Sequence, residues 1–232
     1  MQMWSAKVTG GYDRASAEAK GNAQEMANTL QAAGWSVKAV CAMLGNGAGE
    51  SGLNPWRWES DNVPTVAQYQ GWTSAEAMSH GYGLFGFTPA SKYIEGGRSY
   101  AGYAPNFSDQ SGNPADGNAQ TLYFRSTVQS SWAQGLYDYY KDDFAAIGVN
   151  IDNFYFMSFQ DFIRGNDTIE NLVGAFELCY EKPADWAAAS SYNYRVEQAK
   201  YWLNVLPPVG SLPLWLIAHI SNQNRRRVTY GY

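Results

Sequence analysis

The sequence predicts a mostly α protein with a small β element (α+β). Three observations carry that expectation. Apolar residues recur at helical spacing in several windows, as at Met26, Ala27, Leu30 and Ala33. Helix stops and starts separate those windows, among them Gly34 with Ser36, Pro183, and the Pro207-Pro208 pair. Only one stretch, Gly81 to Thr88, has the short, glycine-flanked aromatic pattern of a strand or hairpin edge.

Taken in order, residues 1–16 form an N-terminal arm and residues 17–206 one domain. The first helix spans Ala17 to Ala33 and ends at Gly34; Ser36 caps the next, which carries Val37, Val40, Cys41 and Leu44 on its apolar side. Gly45, Gly47 and Gly49 then lower helix propensity, each by roughly 1 kcal/mol against alanine, and mark close backbone approach or a bend. Residues 56–80 are turn-rich, with a short helix at Ser74 to Met78, and residues 96–118 read as a long loop. A long helix is expected from Asn118 to Tyr140, burying Leu122, Val128, Trp132 and Leu136. Ser158 to Ile163 is a short helix. Asp167 then stands at capping-box spacing from Glu170 before the apolar run Leu172 to Tyr180. Pro183 opens the last helix, which continues through Ala187 to Leu203, and residues 207–232 form an extension ending in Arg225-Arg226-Arg227 and an aromatic tail.

The chain of 232 residues is long enough for one sizeable core. Its net charge of -5 argues against a nucleic-acid binder, and three terminal arginines do not make a nucleic-acid site. No apolar run approaches membrane-spanning length, because Leu212 to Ile220 is broken by Pro213 and His219. The start lacks the basic and apolar regions of a signal peptide. Two cysteines and two well-separated histidines offer no metal set, and no cofactor is expected. Cys41 and Cys179 form either one disulfide or two buried free thiols. The 17 Tyr, 9 Trp and 10 Phe supply flat apolar faces with polar handles, which suit sugar binding as well as core packing.

The chemistry concentrates at Glu50, in Gly45-Asn46-Gly47-Ala48-Gly49-Glu50-Ser51-Gly52-Leu53-Asn54-Pro55-Trp56. A carboxyl at a helix C-terminus faces the carbonyl end of the dipole, and an apolar floor from Leu44, Ala48 and Leu53 removes it from water. Both effects favour the protonated form that a general acid needs. Gly47 and Gly49 are expected to leave room for a polymer backbone, with Ser51 and Asn54 offering orienting hydrogen bonds.

Glu50-Ser51-x-x-Asn54-Pro55 followed by Gly81-Tyr82-Gly83-Leu84-Phe85-x-Phe87-Thr88 resembles the lysozyme superfamily. With Gly34-Trp35-Ser36, Leu44-Gly45-Asn46 and Phe176-x3-Tyr180-Glu181-Lys182-Pro183, the order is similar to that of the phage tail lysozyme family over residues 20–204. The resemblance implies a lysozyme-like domain on a phage tail that cleaves bacterial peptidoglycan, with Glu50 protonating the glycosidic oxygen. It places His80, Tyr82, Phe85, Phe87 and Thr88 along the sugar groove. It also implies contacts with other tail proteins through the arm and the extension, and carriage in the virion in place of secretion.

One departure stands out. The second carboxylate of animal lysozymes immediately precedes the Tyr-Gly pair, where this chain has Gly81 after His80. Candidates for a partner are Asp61, the preferred one, Glu59 and Glu181, although Glu181 reads more readily as an ion-pair partner of Arg195. A lytic transglycosylase needs none, since the sugar's own 6-hydroxyl closes the ring. Gly86 replaces the glutamine of many relatives, which leaves open an inactive structural tail protein that retains the fold, or a module that binds sugar without cleaving it.

Overall fold

The computed structural model describes residues 13–59, 63–97, 114–183 and 185–206, so most of the arm, Asp61 and the extension lie outside the described residues. Nine α-helices are described: α1 (Ala17–Ala32), α2 (Val37–Ser51), α3 (Val66–Gly71), α4 (Ser74–Ala77), α5 (Pro114–Ser131), α6 (Tyr137–Ala146), α7 (Phe159–Arg164), α8 (Ile169–Phe176) and α9 (Asp185–Val205). None is long and apolar enough to cross a membrane.

The organising element is α2. It is buried continuously from Ala39 to Ala48, and it packs most extensively against α9 and next against α8. A helix buried on all sides must be apolar all round, and α2 departs from that only at Asn46 among those residues. Its start is fixed by Ser36, whose hydroxyl accepts from the Ala39 amide at 3.1 Å. Helix α1 lies on α2 and α5 through Met26, Ala27 and Leu30. Beneath them Trp35 meets Phe124 and Phe162 edge-to-face, both at 5.7 Å between ring centroids.

Several sequence expectations are corrected. The small β element is absent as a strand among the described residues. Gly81 to Thr88 is a tight turn held by two isolated antiparallel bridges, Trp58 with Tyr82 and Tyr82 with Phe87. The positive φ of Gly83 and Gly86, 83° and 53°, closes the chain before a ladder can lengthen. The expected helix from Asn118 to Tyr140 is two helices, starting earlier at Pro114 and broken after Ser131. In the break the Ala133 amide donates to the Cys179 carbonyl, and the Tyr155 hydroxyl accepts from the Gly135 and Leu136 amides. Leu136 is consequently exposed, whereas Val128 is buried. The cap of α8 is Thr168, which accepts from the Asn171 amide at 3.2 Å; Asp167 accepts instead from the Asn171 side chain.

Candidate active site

The three glycines do not end α2; they run through it. A Cβ on Gly45 would stand 2.5 Å from the Arg195 carbonyl oxygen and 2.8 Å from the Ala199 Cβ. The α2–α9 crossing is therefore closer than any side chain at this position permits. At Gly49 an added Cβ would lie 3.2 Å from the Arg195 guanidinium carbon. These glycines admit α9 and its arginine, where the sequence reading expected Gly47 and Gly49 to admit a polymer; Gly47 faces Leu53 and the Leu84 carbonyl. The helix ends at Gly52, left-handed at φ 65°, one turn after the glycines and two residues after Glu50.

Arg195 is the centre of a buried charge cluster. Its Nη2 donates to Glu50 Oε1 at 2.5 Å, and its Nε lies 3.0 Å from Glu177 Oε1. Its Nη1 donates to the Asn46 side-chain oxygen at 3.1 Å, which explains the polar residue inside α2. Asn46 is held in turn by donating to the carbonyls of Ala42 and Val173. Glu177 also accepts from the Ser191 hydroxyl at 2.8 Å. Glu177 and Glu181 lie in a one-turn π-helix, Glu177–Glu181, that continues α8. The wider turn is a common device at functional sites.

The balance of charge in this cluster is unequal, with three carboxyls around one guanidinium. Burial pushes Glu177 up to about 7, with Arg195 and Ser191 opposing and Glu50 adding to the rise. Burial also raises Glu181 well above the ordinary carboxyl range, reinforced by Glu50 and Glu177 and opposed by Arg195. Glu181 as a residue is half-buried because it borders the cleft, yet its Oε1 is sealed from solvent. Burial works against the charge of Arg195, but Glu177, Glu50 and Glu181 together hold its pKa above the usual value.

Glu50 and Glu181 open on one cleft of about 810 Å³. Phe85, Gly86, Phe87 and Thr88 form one stretch of its lining, Tyr123 to Ala133 supply α5 and the break after it, and Tyr180 to Pro183 complete it. Phe85 stacks on Phe124 at 4.1 Å and Phe87 meets Tyr123 edge-to-face at 5.4 Å, so aromatic packing backs this lining. Glu50 Oε2, the oxygen opposite the arginine contact, lies 3.4 Å from where a Cβ on Gly86 would stand.

A family model described as phage tail lysozyme matches residues 21–206. The chain belongs to the phage tail lysozyme family. It is also similar to Morphogenesis protein 1 of Bacillus phage B103, 27% identical over 198 residues, which cover 84% of this chain and 42% of that relative. The chain thus spans less than half the length of that curated relative.

In this phage tail lysozyme domain the residues expected to meet sugar separate into two groups. Phe85, Phe87 and Thr88 border the cleft with Glu50, with Phe85 and Phe87 themselves buried in the core behind it. Ser51, Asn54 and Tyr82 are buried and hold the scaffold instead. The Ser51 hydroxyl donates to the Leu84 carbonyl at 2.8 Å, and the Asn54 side chain accepts from the Trp56 amide at 2.9 Å. The Tyr82 hydroxyl donates to Asp116 at 2.8 Å, and Tyr93 donates to the same carboxylate. Gln120 accepts from the Leu84 amide at 2.7 Å and donates to the Pro55 carbonyl at 2.5 Å, tying the Glu50 loop to the hairpin. His80 stacks on Trp72 at 4.0 Å and is not part of the cleft lining.

Of the proposed partners for Glu50, Asp61 lies outside the described residues. Glu59 accepts from the Gly81 amide at 2.8 Å, so its carboxylate fastens the hairpin. Glu181 borders the cleft, and Arg195, its expected ion-pair partner, is bonded to Glu50 and Glu177. Leu44, Ala48 and Leu53, expected as an apolar floor beneath Glu50, are buried core residues, and the carboxylate of Glu50 is bonded to a guanidinium. Sequence reasoning missed Glu177 as part of the site and quoted Asn46 only within the family pattern; a polar residue inside an apolar helical run was the available signal for both. Cys41 and Cys179 are buried free thiols, and burial pushes both up to about 12. No cluster of ligating side chains fit for a metal occurs among the described residues.

Proposed function

We propose that the chain is a peptidoglycan glycosidase of a phage tail, cutting the linkage between N-acetylmuramic acid and N-acetylglucosamine with Glu50 as general acid. The observation that carries this reading is the division of the Glu50 carboxyl: Oε1 is held by Arg195, and Oε2 faces Gly86 at the cleft. A proton on Oε2 passes to the glycosidic oxygen as the bond from the anomeric carbon breaks. The carboxylate left behind already has a guanidinium on its other oxygen, so its charge needs no reorganisation. Water then adds to the anomeric carbon and returns a proton to Glu50. Tyr123, half-buried at the cleft, offers the aromatic surface along which an aminosugar ring lies, with Phe85 and Phe87 packed behind it. In this reading the domain opens the wall locally from the virion, and the arm and extension dock on neighbouring tail proteins.

A second outcome is favoured by one observation. Gly81 has no side chain and its amide is occupied by Glu59, so neither supplies a nucleophile or base where animal lysozymes place one. The sugar's 6-hydroxyl then attacks in place of water, as in a lytic transglycosylase. Turbidity clearing of purified cell walls by wild type, and its loss in Glu50→Gln, is the expected result; equal inactivity of both would leave a structural tail protein. Mass analysis of the fragments separates the two chemistries, because a transglycosylase leaves anhydromuramic ends and a hydrolase leaves reducing ends.

A further inference from the structure

The turn at one end of the cleft keeps a lysine where a glycine would fit more easily. Two non-glycine residues among the described ones have positive φ, Leu53 at 57° and Lys182 at 51°. Leu53 is fully buried, so core packing accounts for its side chain. Lys182 is half-buried in the cleft lining and precedes Pro183, a position that itself favours extended backbone. Its φ of 51° and ψ of 54° close the π-turn, and its amide donates to the Glu177 carbonyl at 2.8 Å. Glycine adopts that conformation freely, so the lysine side chain is kept against backbone strain. Its ammonium donates to the Ser131 carbonyl at 3.0 Å, at the end of α5 that lines the same cleft. That bond uses one of the ammonium's three donors. Lys92, an exposed residue, borders the cleft from the segment after Thr88. Neither lysine makes an ion pair among the described residues. The carboxyls of the lining are engaged elsewhere: Glu50 is bonded to Arg195, and Glu181 Oε1 is sealed from solvent. In a chain of net charge -5, this cleft therefore carries two ammonium groups without a carboxylate partner.

We propose that Lys182 and Lys92 form an anion-recognition edge of the cleft, which selects glycan strands bearing carboxylates over neutral aminosugar chains. The choice of a glycan as ligand rests on the glycosidase reading. On N-acetylmuramic acid the chemistry recognised is a carboxylate with two sources. One is the lactyl group itself where no peptide is attached, and the other is the peptide that the lactyl group carries. Lys182 takes the carboxylate with its remaining donors while anchored on Ser131, so little side-chain freedom is lost on binding. A charge-assisted bond of this kind is about twice as strong as a neutral one. Lys92 adds a second positive charge from another stretch of the lining and draws the strand towards the cleft. Recognition of an anion accounts for a lysine at a backbone conformation that favours glycine, which the bond to one carbonyl does not require.

The test is calorimetric titration of the full chain, carrying Glu50→Gln to prevent turnover, with a set of tetrasaccharides. One is a neutral N-acetylglucosamine oligomer. Another alternates N-acetylglucosamine with peptide-free N-acetylmuramic acid, and the last carries peptides on its muramic acids. A carboxylate-bearing strand should bind about tenfold tighter than the neutral oligomer. Adding Lys182→Gly, which suits the left-handed backbone, should remove most of that preference, and Lys182→Arg should retain it. Lys92→Gln, at an exposed position, should lose about threefold on the carboxylate-bearing strand. Salt at about 0.5 M should shrink the preference of the Glu50→Gln chain in the same way. Preference already present with the peptide-free strand assigns the lactyl carboxylate, and preference confined to the peptide-bearing strand assigns the peptide. No preference for either strand overturns the proposal. Equal loss on every ligand in Lys182→Gly, the mark of a purely structural lysine, also overturns it. Carboxylate preference without wall clearing by wild type would instead reject the glycosidase reading alone.

Discussion

Arg195 Nη2 donates to Glu50 Oε1 at 2.5 Å, joining residues 145 positions apart in the chain. The contact crosses the α2–α9 interface at the point where Gly45 and Gly49 remove every side chain that would stand in the way. Close packing and site chemistry are thus one arrangement: the same glycines that bring α9 against α2 deliver the guanidinium to the helix end.

Replacing the arginine tests that unity. Arg195→Met leaves Glu177 fully buried without its cation, and breaking such a pair from one side costs about 3–5 kcal/mol. Urea unfolding should show that loss, and wall clearing should fall with it. Arg195→Lys keeps the charge but loses the fork that reaches Glu50, Glu177 and Asn46 together, so stability should recover only in part. A full recovery with lysine would show that charge alone is required.

Gly86 tests access to Glu50. At φ 53° an alanine there bears a left-handed strain of roughly 1–2 kcal/mol, and its Cβ would stand 3.4 Å from Glu50 Oε2. Gly34→Ala is the matched control, since Gly34 has φ 91° and no atom within 4 Å of an added Cβ. Both variants should lose comparable stability. Only Gly86→Ala should lose clearing, by about tenfold or more, because small displacements at a reacting atom are costly. Equal activity in the two would remove Gly86 from the site.

The pH dependence of stability follows from Glu177. Its folded pKa is raised to about 7 from 4.5, so between those values the folded chain holds a proton that the unfolded chain has released. Stability from this group is full below about pH 4.5, declines as pH rises towards 7, and is level above. Urea midpoints for wild type should fall across that window, and the fall should be smaller in Glu177→Gln. A wild-type midpoint that rises with pH from 4.5 to 7 relative to the variant would contradict the assignment.

Helical periodicity and caps made most of the fold legible, because α1, α2 and α9 carry local signals that tertiary packing only reinforces. The limits show at particular residues. Trp132 and Leu136 continue the apolar spacing of α5, yet the helix stops at Ser131, where amides turn to the Cys179 carbonyl and the Tyr155 hydroxyl. Gly81 to Thr88 has a strand's composition, but two left-handed glycines reduce it to a bridged turn. Ser51 and Asn54 flank Glu50 in sequence and point into the scaffold, since a helix end and the turn after it send neighbouring side chains in different directions.

By itself the sequence determined that the protein is mostly helical, that Glu50 stands at the end of a short apolar helix, and that a glycine-rich aromatic hairpin follows it. These depend on residues close together in the chain. Only the tertiary structure decided which groups surround that carboxyl. Arg195, Glu177, Glu181 and Asn46 come from three separate segments, and their meeting depends on the closeness of one helix crossing. Local patterns do not encode that distance. Charge coupling changes steeply with separation and burial, so the electrostatics of Glu50 belong to the packed fold and its position belongs to the sequence.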